Sequence, residues 1–88
     1  MKVLKFGAIW CSGCLIMKPR WKEIETEIPW LKTEYYDVDE ETELVKKYKI
    51  KEYPCFIFLD KKNNEIYRDY GEIDKKKLIE IIEKLKDK

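Results

Sequence analysis

The sequence predicts a single α/β domain over residues 1–88, ordered β-α-β-α-β-β-α, with a mixed four-stranded sheet and helices on both faces. Three observations carry that prediction. In the first half, short apolar or aromatic runs alternate with a stretch of helical periodicity, the pattern of a β-α-β unit with parallel strands. In the second half, two strand-like runs flank the polar turn Asp60-Lys61-Lys62-Asn63-Asn64 and so form an antiparallel hairpin. The length of 88 residues allows one domain with a thin core, since a chain this short buries only roughly 60–65 % of its unfolded surface.

Taken in order, Val3, Leu4, Phe6, Ala8 and Ile9 make a run with little polar content, which predicts a buried strand over about 2–9. Trp10 to Gly13 breaks the run. From Cys14 onward Leu15, Trp21, Ile24 and Ile28 recur near helical spacing, which predicts a helix over about 12–28 with Ser12 near its start. Pro19 lies inside that helix, lacks an amide donor and predicts a kink, and Pro29 ends it. Leu31 to Val38 reads as a second strand, with Tyr35, Tyr36 and Val38 as its β-formers. Asp39-Glu40-Glu41-Thr42 sets acids and a hydroxyl at a helix start. A short helix follows to about Tyr48, with Leu44, Val45 and Tyr48 inward and Glu43–Lys47 as a supporting pair. Cys55–Leu59 is a strong strand introduced by Pro54, and Glu65–Tyr70 returns beside it. Gly71 breaks that run and Asp74 caps the last helix. Leu78, Ile79, Ile81, Ile82 and Leu85 give this helix one wide apolar stripe, down to about Lys86.

Composition narrows the function. Nineteen basic and 18 acidic residues leave a net charge of +1, so no charge excess points to nucleic acid or a membrane surface. A hydrophobic fraction of 44 % argues against disorder. No apolar run approaches the roughly 18 residues of a membrane span. Met1–Phe6 is too short and too interrupted for a signal peptide. A cytoplasmic monomer is the expectation. Three cysteines, an odd number, do not make a secreted disulfide framework. The absence of histidine removes the commonest general base and the commonest zinc ligand together.

Chemistry concentrates in Trp10-Cys11-Ser12-Gly13-Cys14. Two cysteines three apart at a helix start close a small disulfide with little backbone movement. Cys11 stands just ahead of the helix, at the positive end of its dipole and near unsatisfied amide donors, where thiolate is favoured over thiol. The thiolate is the nucleophile of disulfide exchange. Cys14, inside the first turn and expected to be the less exposed of the two, then attacks the mixed disulfide that Cys11 makes. A pair at this spacing is also half of a zinc site. A structural zinc site takes four ligands, however, and this chain has three cysteines and no histidine. The prediction is therefore a redox-active Cys11–Cys14 couple with no metal and no separate cofactor.

From this motif outward the chain resembles the thioredoxin family over nearly its whole length. Phe6, Ala8 and Trp10-Cys11-x-x-Cys14 resemble the family's strand and active-site turn. Pro19, five residues after Cys14, matches the proline inside its active-site helix. Tyr36-Asp37-Val38-Asp39 resembles its second core strand and exit, and Tyr48-Lys49-Ile50-Lys51-Glu52-Tyr53-Pro54 the segment leading to its cis-proline. Gly71 stands where the family has a glycine before the last helix. The family's extra N-terminal strand and helix have no counterpart among these residues. The resemblance implies a thioredoxin-like fold and a protein-disulfide reductase, with Cys11 attacking and Cys14 resolving. It implies a cis Tyr53–Pro54 peptide, and a substrate groove bordered by Trp10, Ser12, Gly13, Tyr53, Pro54 and Gly71, where an extended substrate pairs with backbone. It implies disulfide-containing protein substrates, an external reductase or low-potential electron donor, and so a part in electron transport.

The sequence departs from the family in three places. Ser12-Gly13 replaces the Gly-Pro of typical thioredoxins, which removes rigidity and should move the reduction potential. Lys5 stands where the family keeps a buried acid beneath the resolving cysteine, and Tyr35 where it keeps the accompanying lysine. A protonated lysine cannot take a thiol's proton, although it would stabilise a nearby thiolate. The plainer expectation has Lys5 snorkelling to the sheet edge with no redox role. Cys55 directly follows Pro54, where threonine is common, and reads as a core thiol, a third redox thiol or a third metal ligand. Two other functions stand beside the reductase. A glutaredoxin-like enzyme would need a glutathione site, for which Gly71-Glu72-Ile73-Asp74 is a weak match. A non-enzymatic metal or cluster carrier would use Cys11, Cys14 and Cys55.

Overall fold

The computed structural model describes all of residues 1–88. Seven elements follow in chain order: β1 Lys2–Gly7, α1 Ser12–Glu27, β2 Lys32–Asp37, α2 Thr42–Tyr48, β3 Cys55–Leu59, β4 Glu65–Tyr70 and α3 Lys75–Leu85. They form one sheet of order β2-β1-β3-β4, the mixed α/β architecture that the sequence predicts. β1 and β2 run parallel, with Lys5 opposite Tyr35 and Gly7 opposite Asp37. β3 runs antiparallel to both β1 and β4.

Alternate residues of a strand face opposite sides, so the two central strands build two cores. On one side Val3, Phe56 and Phe58 pack against Met17, Trp21 and Ile24 of α1 and Leu78 and Ile82 of α3. On the other, Leu4, Phe6, Cys55, Ile57 and Leu59 pack with Val38, Ile50 and the half-buried Leu44, Val45 and Tyr48 of α2. β3 has a strand on each side and a core on each face, which is why all five of its residues are buried. α1 and α3 are also tied laterally. Lys75 pairs with Glu27, Arg20 donates to the Ile73 carbonyl at 2.9 Å, and the Ile73 amide donates to Met17 Sδ at 3.4 Å.

Local signals explain most boundaries. Asp74 Oδ1 accepts the Lys77 amide at 2.9 Å and so caps α3 as predicted. Asp60 Oδ1 gathers the Lys62 and Asn64 amides and folds the hairpin turn. Three expectations need correction. β1 stops at Gly7 rather than Ile9, because the Cys11 amide bonds to the Ala8 carbonyl at 3.2 Å and turns the chain. Within α1 the inward residue is Met17, not the exposed Leu15, since Met17, Trp21, Ile24 and Ile28 form the stripe that meets the sheet; the helix itself runs on through Pro19. α2 starts where the acids and Thr42 place it, with Glu41 in the cap position but making no side-chain cap bond. Glu43 and Lys47 form no ion pair, and Lys47 lies 5.5 Å from the centre of the Tyr48 ring instead. No helix is long and apolar enough to cross a membrane.

Candidate active site at the mouth of the first helix

The turn after β1 delivers Cys11 to the cap position of α1. Its backbone is extended, at φ −95° and ψ 113°, and its Sγ accepts the Cys14 amide hydrogen at 3.2 Å. A sulfur thus satisfies one of the orphan amides that every helix start leaves open. The burial order is the reverse of the sequence expectation: Cys11 is 9 % exposed, whereas Cys14 is only half-buried. Cys11 belongs to the buried cluster on the α2 side, whereas Cys14 only borders that cluster and sets its Sγ over Gly7. A Cβ on Gly7 would stand 3.1 Å from Cys14 Sγ and 3.1 Å from the Tyr35 hydroxyl. Burial, and after it the hydrogen bond and charge of Cys11, pushes the Cys14 thiol up to about 11.

The predicted groove residues lie around this pair. The Tyr53–Pro54 peptide is cis. A Cβ on Gly13 would approach Pro54 Cδ to 3.2 Å, so the dipeptide between the cysteines rests on the proline. The Gly71 amide donates to the Pro54 carbonyl at 2.8 Å, and Gly71 adopts φ +79°, a conformation that favours glycine. Trp10 is 61 % exposed, its indole N–H donates to Asp39 at 2.8 Å, and its ring meets Tyr53 edge-on at 5.8 Å. Trp10 therefore combines an open flat face with a fixed orientation. Ser12 is exposed beside it.

Lys5 and Cys55 sit apart from the pair's open side. Lys5 Nζ bonds Glu25 of α1 at 2.7 Å and lies 5.8 Å from the centre of the Trp21 ring. It does not snorkel to the sheet edge, because α1 presents a carboxylate within reach. Cys55 is fully buried in the core on the α2 side, and burial pushes its thiol up to about 11. No three Cys, Asp or Glu side chains are grouped so as to hold a metal ion, so Cys11, Cys14 and Cys55 do not make a ligand set within one chain. Asp74, the acid of the weak glutathione-type segment, is occupied as the cap of α3.

The Trp10–Asp39 contact and a cavity escape a reading of the sequence, which names Tyr35 only as standing where the family keeps a lysine. Asp39 reaches Trp10 because β2 lies beside β1, with the Val38 amide bonded to the Gly7 carbonyl at 2.9 Å. Tyr35 reaches Cys14 by the same strand pairing. A cavity of about 140 Å³ lies behind Cys14, lined among others by Gly7, Ile9, Leu15, Trp21 and Tyr35. The signals in the sequence are the predicted parallel pairing of the first two strands, which fixes neighbours once the register is known, and, for Tyr35 alone, its match to the family's lysine position.

Residues 1–84 match the family described as Thioredoxin. Thioredoxin H5 of Oryza sativa is 44 % identical over 73 residues, which cover 83 % of this chain and 48 % of that protein. The chain thus spans about half the length of that relative. Thioredoxin-1 of Drosophila melanogaster is 32 % identical over 94 % of this chain and 77 % of its own length. The X-ray structure of Fasciola hepatica thioredoxin superposes with a TM-score of 0.87 at 32 % identity, covering 96 % of this chain and 79 % of that one.

Proposed function

This chain belongs to the thioredoxin family, and we propose that it is a protein-disulfide reductase working through a Cys11–Cys14 dithiol–disulfide couple. One observation carries the reading: the Cys11 sulfur caps α1 and accepts an amide hydrogen from Cys14. The positive end of a helix faces that sulfur, the setting in which a cysteine acts as nucleophile. Cys11 attacks one sulfur of a substrate disulfide and expels the other as a thiolate. Cys14 then attacks Cys11 in the mixed disulfide. The Cys11–Cys14 bond forms, the substrate sulfur leaves with the electron pair, and water supplies its proton. Two electrons have passed from the dithiol to the substrate. An external reductase or low-potential donor returns them.

The groove suits an extended polypeptide. Tyr53 takes part in no backbone hydrogen bond, which leaves its N–H and C=O for a substrate strand next to the two cysteines. Trp10 and Tyr53 supply an apolar wall, Gly13 and Gly71 a low floor, and exposed Ser12 the near rim.

Insulin reduction with dithiothreitol tests this reading. The protein should accelerate precipitation of the insulin B chain. Cys11→Ser should abolish the effect, and Cys14→Ser should retain attack but accumulate a covalent mixed disulfide on non-reducing gels. Activity that survived Cys11→Ser would refute the mechanism.

A further inference from the structure

Resolution depends on Cys14, whose thiol must lose its proton before it attacks, and burial holds that thiol up at about 11. Thiolate is scarce near neutral pH, so any group that stabilises negative charge on Cys14 hastens substrate release. Lys5 lines the cavity behind Cys14, but its ammonium is bound by the Glu25 carboxylate at 2.7 Å. Tyr35 is placed differently. Its hydroxyl and Cys14 Sγ each lie 3.1 Å from the position of a Gly7 Cβ, so the two are at most about 6.2 Å apart, a span that one bridging water covers without a direct bond between them. The parallel register holds Tyr35 there, opposite Lys5 on β1. Gly7 opens the window, because a side chain at that position would stand between thiol and phenol. The cavity of about 140 Å³ exceeds the roughly 30 Å³ that one water occupies. Trp21, which also lines it, carries an indole N–H with no partner in the protein.

We propose that the Tyr35 hydroxyl is the hydrogen-bond donor that supports the Cys14 thiolate in the resolving step, across the window left by Gly7. The proposal rests on the dithiol reading above. Burial, then Asp37 and then the two cysteines raise the phenol's own pKa, so it remains a protonated donor at neutral pH. In the step itself Cys14 gives its proton to water, and the thiolate accepts the Tyr35 O–H through the bridging water. It then attacks Cys11 Sγ, and the departing sulfur takes the electron pair and a proton from water. Lys5 from β1, Lys18 from α1 and Tyr35 from β2 share the cavity with Cys14, Cys11 faces it across the turn, and Asp37 of β2 acts on Tyr35.

Stopped-flow reaction of the reduced protein with 5,5′-dithiobis(2-nitrobenzoate) separates the steps. The first thionitrobenzoate released reports attack by Cys11, and the second reports resolution by Cys14. Tyr35→Phe is expected to slow the second release about tenfold, as loss of a hydrogen bond to a charged group would. It should also raise the pH midpoint of that release and leave the first release and the melting temperature unchanged. Gly7→Ala, which drives a methyl between the two groups, should slow the second release as well. A Tyr35→Phe protein with the wild-type second rate and pH midpoint overturns this proposal alone. A first release as fast in Cys11→Ser as in the wild type overturns the dithiol reading and this proposal with it.

Discussion

Three thiols of one chain occupy three environments: Cys11 caps a helix, Cys14 borders a cavity and Cys55 is sealed in the core on the α2 side. Cys55→Ala should therefore leave insulin reduction unchanged and cost about 1–2 kcal/mol in urea unfolding, the scale of a small core truncation. Burial raises both Cys14 and Cys55 from the ordinary 9.0 to about 11. Between those values the unfolded chain releases thiol protons that the folded chain keeps. Stability from these groups is thus complete below pH 9 and falls as pH rises toward 11. Urea midpoints of the reduced protein over that range should decline, and less steeply for Cys55→Ala. The cysteine pair was legible from spacing alone. The burial order was not, because it depends on Cys11 joining a core cluster whose other members, Leu4 and Val38 among them, lie outside the motif. The Lys5–Glu25 bond was equally hidden, since no local periodicity relates positions 20 apart.

At the scale of elements, the two cap positions invite opposite predictions. Asp74 makes its cap bond, so Asp74→Ala should lower stability by about 1 kcal/mol in thermal or urea melts. Thr42 lies inside α2, and the cap residue Glu41 makes no side-chain cap bond, so Thr42→Ala should change stability by less than about 0.5 kcal/mol. A reading from sequence alone would have valued the two sites alike. β3 and α3 were the most legible elements, because a run of five buried residues and a single apolar stripe leave little choice of face. α1 was harder. Leu15, Ile16 and Met17 are consecutive and apolar, and only the sheet decides that Met17 turns inward while its neighbours stay exposed.

Over the whole molecule, connection lengths were enough to predict which strands run parallel. The sheet order β2-β1-β3-β4 does the functional work. It sets β2 beside β1 and so brings Asp39 to Trp10 and Tyr35 to Cys14. It sets β3 on the other side of β1, with Pro54 under Gly13. The Trp10–Asp39 contact has no signature in the linear sequence, whereas the resemblance already sets Pro54 beside the cysteines and Tyr35 at the family's lysine position, and the cysteines and Gly71 could be named before any coordinates. The site is thus a product of topology acting on a motif that was already visible. Reactivity in that site must follow electrostatic setting rather than exposure, because the more buried cysteine of the pair is the one assigned to attack. Brief treatment of the native reduced protein with limiting iodoacetamide at neutral pH, followed by peptide mass mapping, puts this to the most direct test. Cys11 should be alkylated first and Cys55 last; alkylation of Cys14 or Cys55 ahead of Cys11 would contradict the account.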